Sequence, residues 1–334
     1  MERISDHIRK RFAVGSLAVS VNGYLRCDFL GVEMETTPEY TSLNQTKYIQ
    51  SVLQEVPLDS SRPRRPDEPL SSSEYKAFRT ANGQLQWVIV TRPEVGFRTS
   101  RCASASHDPT VEAAKCLNQT VKHLRETAHR KRMIPTLDLN TWSNVVYADA
   151  SLGNVDNSRT QGGRAVNLED ARGRCATLVC RSGKLHRVAQ SSYDAETLIA
   201  VDACGDGYEV ALTAQEVLDG PLQTLLEKVL RRSLQSGHRE PACLSLPPTI
   251  YSDGHGTVQS VNGSKQVQCK RRQQDVAALR EALEVGDVAS VLHLAGPKNP
   301  VDPLTKLLPL ASASTPSTVQ VLEQMLQGQA PPKA

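Results

Sequence analysis

The sequence Val-Val-Tyr-Ala-Asp occupies residues 145–149, and Thr-Ile-Tyr-Ser-Asp occupies residues 249–253. Each predicts a short buried strand that ends in an aspartate, because β-branched and aromatic residues favour strands and a buried strand carries an apolar run. Between them, residues 191–200 (Ser-Ser-Tyr-Asp-Ala-Glu-Thr-Leu-Ile-Ala) predict the first turns of a helix that contains Glu196. All three acidic side chains therefore lie at the end of a strand or near the beginning of a helix.

A fourth carboxylate, Asp302, completes a series that recurs at intervals of about fifty residues: Asp149, Glu196, Asp253 and Asp302. Clustered carboxylates are the ligands that phosphodiester hydrolysis with two divalent ions requires. Taken singly, each of these residues could instead cap the turn or helix that follows it. The spacing alone leaves both interpretations open.

The composition is that of a globular protein with few aromatic residues in its core. The 334 residues are 39% apolar, 22% charged and 4% aromatic. This length has room for two or three domains, or for one large domain. The net charge of +3 permits a nucleic-acid ligand without requiring one, because nucleic-acid binding depends on how the charge is distributed over the surface.

The cysteines and the N-terminus do not indicate a secreted protein. The eight cysteines form no CxxC pair and no metal-ligand spacing with the eight histidines. This favours buried free thiols in a reducing compartment over a zinc site. No signal peptide opens the chain, and no apolar run has the length of a transmembrane helix. We therefore expect a cytoplasmic or nuclear protein without a membrane partner.

The first part of the chain, to about residue 128, predicts a mixture of strands and helices. A proline-rich connector at 57–73 separates its elements. The expected elements are a strand pair at 24–35 and helices at 46–54, 73–90 and 110–126. The basic run His-Arg-Lys-Arg at 129–132 then opens a linker. That run is either solvated surface or a contact with nucleic-acid phosphates.

From residue 144 onward, strands and helices alternate. The order is three strands, a helix, a strand, a helix, a strand and a helix, which predicts a mixed sheet with helices packed on it. The expected strands are 144–149, 162–168, 174–181, 248–253 and 288–294, and the expected helices are 192–218, a second one to about 234, 274–284 and 318–327. This order resembles the ribonuclease H fold, in which the first and fourth strands are neighbours. That resemblance, rather than the spacing, would bring the carboxylates together.

Segments in order along nearly the whole chain are similar to one family. In the first part they are 28–33 (Asp-Phe-Leu-Gly-Val-Glu), 43–49 (Leu-Asn-Gln-Thr-Lys-Tyr-Ile), 75–97 and 113–127, and in the second part they are 147–150 (Tyr-Ala-Asp-Ala), 191–196, 250–253 and 298–306 (Lys-Asn-Pro-Val-Asp-Pro-Leu-Thr-Lys). They resemble the C-terminal part of the Pol polyprotein of copia-type LTR retrotransposons. The resemblance implies the end of a reverse transcriptase followed by its ribonuclease H domain.

The fold that this resemblance implies is a mixed α/β architecture. Residues 144–310 would form a ribonuclease H-like mixed β-sheet with flanking helices. A smaller α+β remnant of the reverse transcriptase, comprising the end of the palm and the thumb or connection, would occupy 1–128, and a basic linker would follow at 129–143. A C-terminal helix and tail would occupy 311–334.

The implied chemistry is two-metal hydrolysis of the RNA strand of an RNA–DNA hybrid. Asp149, Glu196, Asp253 and Asp302 fall on the family's catalytic positions, where they would hold two Mg²⁺ or Mn²⁺ ions. Asp149 would bridge the ions, Glu196 and Asp253 would complete one site, and Asp302 would complete the other. One ion would activate the attacking water, and the other would stabilise the departing 3′-oxygen.

Substrate contacts are also implied by the resemblance. Contacts to 2′-hydroxyl groups across the shallow minor groove would select RNA. Phosphates would pair with basic residues, namely Lys184, His186, Arg187, Lys265, Lys270, Arg271 and Arg272. Each of these side chains could instead be an ordinary solvated charge.

The sequence departs from the family pattern at several positions. No Tyr-x-Asp-Asp polymerase motif occurs, so we expect no reverse transcription by this chain alone. Ser151 and Leu152 stand where an acidic residue and a tryptophan are usual, and Gln273-Gln274 where many members carry a histidine. His255 and His293 could substitute in proton transfer or be ordinary histidines. The sequence Gly-His-Gly at 254–256 weakens the helix expected after Asp253.

Three hypotheses of different classes remain from the sequence. The first is a ribonuclease H-type endonuclease, either part of a longer polyprotein or a gene fragment, with other Pol parts as partners. The second is a catalytically inactive or co-opted fragment that only binds nucleic acid or Pol partners. The third is an unrelated α/β structural or interaction protein. The complete set of carboxylates favours the first over the second, whereas the altered flanking residues favour the second.

Overall fold

Two β-sheets with helices packed against them organise the protein. The computed structural model describes residues 24–61, 63–155, 159–219, 244–264, 267, 270–308 and 317–333. The smaller sheet is antiparallel and has the order β1-β2-β3-β4, built from Leu25–Phe29, Val32–Thr36, Tyr40–Asn44 and Arg132–Pro135. The first two strands are the pair predicted at 24–35.

Strand β4 lies within the stretch predicted as a basic linker. It pairs with β3 in the register Leu43↔Arg132. The guanidinium of Arg132 donates to the carbonyl oxygen of Val90 at 2.8 Å and to that of Thr177, and the residue is only 8% exposed. Part of this basic run is therefore buried structure rather than solvated linker, because backbone carbonyls from distant segments satisfy the charge.

Among the described residues of the first part of the chain, four helices share a core of their own. They are α1 (Thr46–Ser51), α2 (Ser72–Val88), α3 (Gly96–Ser104) and α4 (Val111–Glu126). Helix α2 begins with a reciprocal cap between Ser71 and Glu74, and Thr110 caps α4 by accepting from the Ala113 amide. Their apolar faces form one core cluster that includes Phe78, Leu85, Leu117 and Leu124. Helix α3 is not predicted by the sequence pattern, and α1 is shorter than predicted.

The larger sheet has the order β7-β6-β5-β8-β9. Strands β5 (Ser143–Val155), β6 (Arg159–Glu169) and β7 (Cys175–Lys184) form an antiparallel meander, while β8 (Thr249–Ser252) and β9 (Ser290–His293) run parallel to β5. This is the predicted arrangement, in which the first and fourth strands of the sheet are neighbours. The expectation of a mixed α/β, ribonuclease H-like sheet is confirmed.

Helices cover both faces of the larger sheet. They are α5 (Ser192–Asp219), α6 (His255–Asn262), α7 (Lys270–Glu284) and α8 (Ser317–Leu326). Alternation along β5 sends Val146 into a cluster with Ile199 and Leu279, and sends Tyr147 into a cluster with Leu304 on the opposite face. Helix α6 forms despite the two glycines before Thr257. The second helix predicted to end near residue 234 lies outside the described residues.

The two parts of the chain pack against each other through α3 and the C-terminal helix. The amide of Gln161 donates to Ser100 at 3.1 Å, and Arg98 Nη2 donates to the carbonyl oxygen of Leu308 at 3.1 Å. Arg130 forms an ion pair with Glu323 at 2.6 Å. Helix α3 thus supports the segment that follows Asp302. In the portion of the chain with described coordinates, no helix combines the length and apolarity needed to cross a membrane.

Candidate metal centre

Asp149 and Asp253 are neighbours because their strands run in parallel. The register pairs Ala148 with Ser252, and each aspartate directly follows its member of that pair. Parallel strands present their C-terminal ends at the same edge of a sheet. The pairing of β5 with β8 therefore brings together two residues that are 104 positions apart in the sequence.

Glu196 reaches the same edge from the beginning of α5. Ser191 caps this helix by accepting from the Asp194 amide at 3.1 Å, and the Asp194 carboxylate accepts from the Gln190 amide at 3.0 Å. The carboxylate of Glu196 accepts from the Ala150 amide at 3.2 Å and from the Ser252 hydroxyl at 3.3 Å. These bonds fix the glutamate beside both strand ends.

The three carboxylates converge closely. Asp149, Glu196 and Asp253 each offer one oxygen, and these oxygens lie within 4.8 Å of one another. Asp149 is 3% exposed and Glu196 is 8% exposed. The expectation that these acidic residues share a location is met for three of the four.

Gly254 makes this approach of Glu196 sterically feasible. A Cβ at position 254 would lie 2.8 Å from both Cβ and Cγ of Glu196. Real Cβ atoms do not tolerate such distances, so α5 would have to shift if this residue had a side chain. The glycine that weakens the sequence prediction of α6 is thus required for the close packing of the carboxylate cluster.

Asp302 lies on a separate segment that is anchored to the end of β5. The amide of Asn299 donates to the carbonyl oxygen of Ala148 at 3.0 Å, and the hydroxyl of Thr305 donates to Asp149 Oδ2. The ammonium of Lys306 forms an ion pair with Asp302 Oδ1. Asp302 is close enough for its charge to raise the pKa of Asp149, but its ligand atoms are outside the tight group of three.

The electrostatics of the cluster favour protonated carboxyls when no cation is bound. Burial, followed by the charge of Asp253, raises the pKa of Asp149 to about 7. Burial, followed by the charges of Asp149 and Asp253, raises the pKa of Glu196 to about 9. Burial also raises the pKa of Asp253. Three ionised carboxylates at this distance therefore repel one another strongly.

The donor set fits a hard divalent cation. All three candidate donors are carboxylate oxygens, which Mg²⁺ and Mn²⁺ prefer over nitrogen or sulfur donors. Asp253 Oδ1 is buried and has no hydrogen-bond partner among the described residues. A buried oxygen without a donor is costly unless a cation satisfies it. This orphaned oxygen is an independent indication of a cation site at the cluster.

The predicted phosphate-binding residues have different environments. Lys184 is half-buried at the end of β7, whereas His186, Lys270 and Arg271 are exposed. Arg187 is exposed but its guanidinium lies 2.7 Å from Asp275. Lys265 lies outside the described residues.

Arg272 requires a correction. It is 3% exposed, and its guanidinium forms ion pairs with Asp275 at 2.7 Å and with Asp194 at 3.5 Å. Two buried aspartates hold it in the interior, so Arg272 does not face a nucleic acid. The sequence shows its charge but not these partners. Since Asp194 also belongs to the cap of α5, Arg272 ties the beginning of α7 to the helix that carries Glu196.

Two histidines stand next to the cluster. The rings of His255 and His293 meet edge to face with centroids 5.5 Å apart, and both residues are exposed. The register of β8 and β9 pairs His293 with Ser252. Their proposed part in proton transfer stays a prediction.

Sequence reasoning assigned no role to Ser252, Gly254, Asn299 or Thr305, and it did not single out Gly163. A Cβ at position 163 would lie 2.9 Å from Leu304 Cβ, Thr305 Cγ2 and the Val301 carbonyl oxygen. Gly163 pairs with Asp149 in the sheet, and it therefore lets the segment of Asp302 lie against β6. The Asn-Pro and Leu-Thr-Lys motifs were the available signals for Asn299 and Thr305.

Comparisons with known proteins confirm the expected sequence resemblance. No family model matches the chain. It is 23% identical over 294 residues to the retrovirus-related Pol polyproteins from transposons RE1 and RE2 of Arabidopsis thaliana, covering 84% of this chain and 18% of each relative. It is also 26% identical over 108 residues to an uncharacterized mitochondrial protein of the same plant, covering 30% of this chain and 45% of that protein. The chain thus spans less than half the length of these relatives.

Solved structures with partial likeness include ribonuclease H domains. The N-terminal ribonuclease H domain of a Mycobacterium tuberculosis protein is 13% identical, with a TM-score of 0.29, and covers 49% of this chain and 90% of that one. A ribonuclease H1 (LC11) in complex with an RNA/DNA hybrid is 14% identical, with a TM-score of 0.31, and covers 48% of this chain and 93% of that one. At these TM-scores the likeness supports no inference, and the fold is assigned from strand order and register.

Proposed function

We propose that this chain carries a ribonuclease H-type site that hydrolyses the RNA strand of RNA–DNA hybrids with two divalent ions. The observation that supports this most is the convergence of Asp149, Glu196 and Asp253 within 4.8 Å at the ends of two parallel strands. Their sequence contexts match the catalytic motifs of the Pol polyproteins that the chain resembles. Several types of metal-dependent nuclease use carboxylate clusters, and the motif contexts favour this type.

The carboxylates would hold the ions in distinct positions. Asp149 would be the ligand shared by both ions, and Asp302 would complete the second site in place of its ion pair with Lys306. Bound Mg²⁺ or Mn²⁺ would supply Lewis-acid activation of a water and stabilisation of the departing oxygen. Thr305 and the Ala150 amide would keep Asp149 and Glu196 oriented by hydrogen bonds to their carboxylates.

Basic residues that are exposed near α7 or half-buried at the end of β7 would bind the hybrid. Lys270 and Arg271 lie at the beginning of α7, and Arg187 reaches the same helix through Asp275. These side chains therefore come from two segments that meet in space. Together with Lys184 they would contact backbone phosphates, which contribute affinity but no sequence specificity.

Incubation of the purified full chain with an end-labelled RNA–DNA hybrid tests the proposal. We expect cleavage of the RNA strand in Mg²⁺ or Mn²⁺ and no cleavage of duplex DNA. The Asp149→Asn variant should be inactive because it loses the shared ligand. Asp202→Asn is the matched control, since Asp202 lies on α5 outside the cluster and its side chain is 41% exposed.

Each outcome of this assay is informative. Absence of cleavage by the wild type in both metals would overturn the enzyme proposal. Binding of the hybrid without cleavage would support the alternative, a co-opted fragment that only binds nucleic acid or Pol partners. Cleavage by Asp149→Asn would show that the catalytic site was assigned wrongly.

A further inference from the structure

Two thiols line a cavity between α3 and α4, outside the metal centre. Cys102 on α3 is 1% exposed, whereas Cys116 on α4 is partly exposed. The cavity has a volume of about 420 Å³, and Arg101, His107 and Glu112 also line it. A small reagent can therefore approach the thiol pair from this cavity, although Cys102 itself is buried.

A fixed guanidinium lies against the sulfur of Cys116. Arg98 Nη1 donates to Cys116 Sγ at 3.7 Å, and Nη2 of the same side chain donates to the carbonyl oxygen of Leu308 at 3.1 Å. Since both ends of the guanidinium are bound, the positive charge is held beside the sulfur. Such a charge stabilises the thiolate form.

The other charges around the cavity are of mixed sign. Arg101 lines it and forms an ion pair with Glu112 at 3.2 Å, and Asp67 and Asp108 also line it. The neighbouring Cys102 thiol is the largest influence on the pKa of Cys116 and, with Arg98 and Arg101, lowers that pKa to about 6 against the effect of burial. The same interaction raises the pKa of Cys102.

Three other described cysteines lie in environments that raise the pKa of the thiol instead of lowering it. Burial raises the pKa of Cys175 and of Cys180 to about 12, and that of Cys204 to about 11. Cys175 is fully buried. The expectation of buried free thiols therefore holds for Cys102 and Cys175, whereas Cys116 is partly exposed.

We propose that Cys116 is a nucleophilic thiol and a site of covalent modification by peroxides and soft electrophiles, with Cys102 as the thiol that resolves its oxidised form. The Cys116 thiolate would attack one oxygen of hydrogen peroxide, breaking the O–O bond. Hydroxide would leave and Cys116 would become a sulfenic acid, so the sulfur is oxidised by two electrons and the peroxide is reduced. Cys102 would then lose its proton and attack that sulfur, forming the disulfide and releasing water.

Labelling of the full chain with limiting N-ethylmaleimide, followed by peptide mass mapping, tests the first step. We expect Cys116 to react about tenfold faster than Cys27 near neutral pH. Arg98→Met should remove part of this advantage, and Arg98→Lys should keep more of it than Arg98→Met does. Arg79→Met, on α2, should have no effect. Labelling of Cys175 in the same maps reports any unfolding, because only an unfolded variant exposes it.

Treatment with hydrogen peroxide tests the second step. The wild type should give a peptide pair joined between Cys102 and Cys116, and Cys102→Ser should instead give a dimedone adduct at Cys116. Equal labelling rates at Cys116 and Cys27, or an unchanged rate in folded Arg98→Met, would overturn the nucleophile assignment. A persistent dimedone adduct in the wild type without a disulfide would overturn the role of Cys102.

Discussion

The hydroxyl of Thr305 donates a hydrogen bond to Oδ2 of Asp149, across 156 positions of sequence. The contact exists because Asn299 anchors its segment to Ala148 and because Gly163 leaves room for the backbone of residues 301–305. The hydroxyl also lies 2.9 Å from the carbonyl oxygen of Asp302. Thr305 therefore connects the carboxylate of Asp149 with the segment that carries Asp302.

Thr305→Val is expected to weaken Mn²⁺ binding about tenfold. Loss of a hydrogen bond to a charged group costs about 1.5–3 kcal/mol, and without this donor Asp149 would hold its proton more tightly. Thr305→Ser keeps the hydroxyl and should bind Mn²⁺ like the wild type. Titration calorimetry with Mn²⁺ measures both. Equal affinity of the Val and Ser variants would contradict the positioning role.

The metal-free protein is expected to lose stability as the pH rises from about 4 to about 9. The folded-state pKa values of Asp149 and Glu196 are raised to about 7 and about 9, whereas unfolded carboxyls titrate near 4. A raised folded pKa means that the folded state binds the proton more tightly. The two carboxyls therefore contribute their full stabilisation of the folded state below about pH 4. This stabilisation is lost as the pH rises through their folded-state pKa values.

Urea unfolding in EDTA at about pH 5 and about pH 9 measures this effect. Glu196→Gln should be less sensitive to pH than the wild type by on the order of 3 kcal/mol, because it lacks the carboxyl with the larger shift. An identical pH dependence in the two proteins would contradict the raised pKa of Glu196. Added Mn²⁺ should restore stability at the higher pH, since it replaces the bound protons.

Gly254→Ala is expected to destabilise the protein by about 1–3 kcal/mol and to weaken Mn²⁺ binding. The new methyl group would lie 2.8 Å from Glu196 Cβ and Cγ, so the ligand must move. Gly183→Ala on β7 is the matched control, because no atom lies within 4 Å of its added Cβ. Urea unfolding and Mn²⁺ titration of both variants provide the test. Similar behaviour of the two would mean that α5 adjusts without cost.

Lys306→Met is expected to tighten the binding of a second Mn²⁺ ion by about two- to fivefold. The ammonium of Lys306 forms an ion pair with Asp302, but its side chain is 49% exposed, and such ion pairs contribute only about 0–1 kcal/mol. Lys122→Met, an exposed change on α4, is the control. Electron paramagnetic resonance counts bound Mn²⁺. Unchanged second-site affinity would show that Lys306 does not compete with metal.

Substitutions of the adjacent residues Arg271 and Arg272 are expected to have different effects on stability and on hybrid binding. Arg272→Met removes the partner of two buried aspartates and should cost about 3–5 kcal/mol of stability. Arg271→Met should change stability by less than about 0.5 kcal/mol and should weaken hybrid binding with a shallower dependence on salt. Urea unfolding and fluorescence anisotropy distinguish these effects. Equal stability of the two variants would contradict the buried ion pairs of Arg272.

Much of the fold was predictable because the relevant signals are local. The strands around 145–149 and 249–253 follow from β-branched and aromatic runs, and the beginning of α5 follows from the helical pattern of residues 191–200. Helix α3 and strand β4 were not predictable in this way. Strand β4 owes its place to pairing with β3 and to the acceptors that bury Arg132, and both partners are distant in sequence.

The candidate site was predictable in its residue types and only partly in its geometry. The motif contexts indicated all four carboxylates. The tertiary structure brings oxygens of three of them within 4.8 Å of one another, whereas the fourth, Asp302, forms an ion pair with Lys306. Gly254 has opposite effects on local helix propensity and on tertiary packing. Locally it disfavours a helix, whereas in the packed protein it is the residue type that lets Glu196 approach Asp253.

The sequence by itself determined most of the order of strands and helices, the identity of the carboxylates and the resemblance to retrotransposon Pol polyproteins, because these depend on local propensity, polarity and residue order. Only the tertiary structure decided which charges meet. Parallel pairing of β5 with β8 places Asp149 beside Asp253, and the packing of helices buries Arg272 while leaving Arg271 exposed. The free energy of a charged side chain depends on its burial and its partners, and neither is a property of the residue alone.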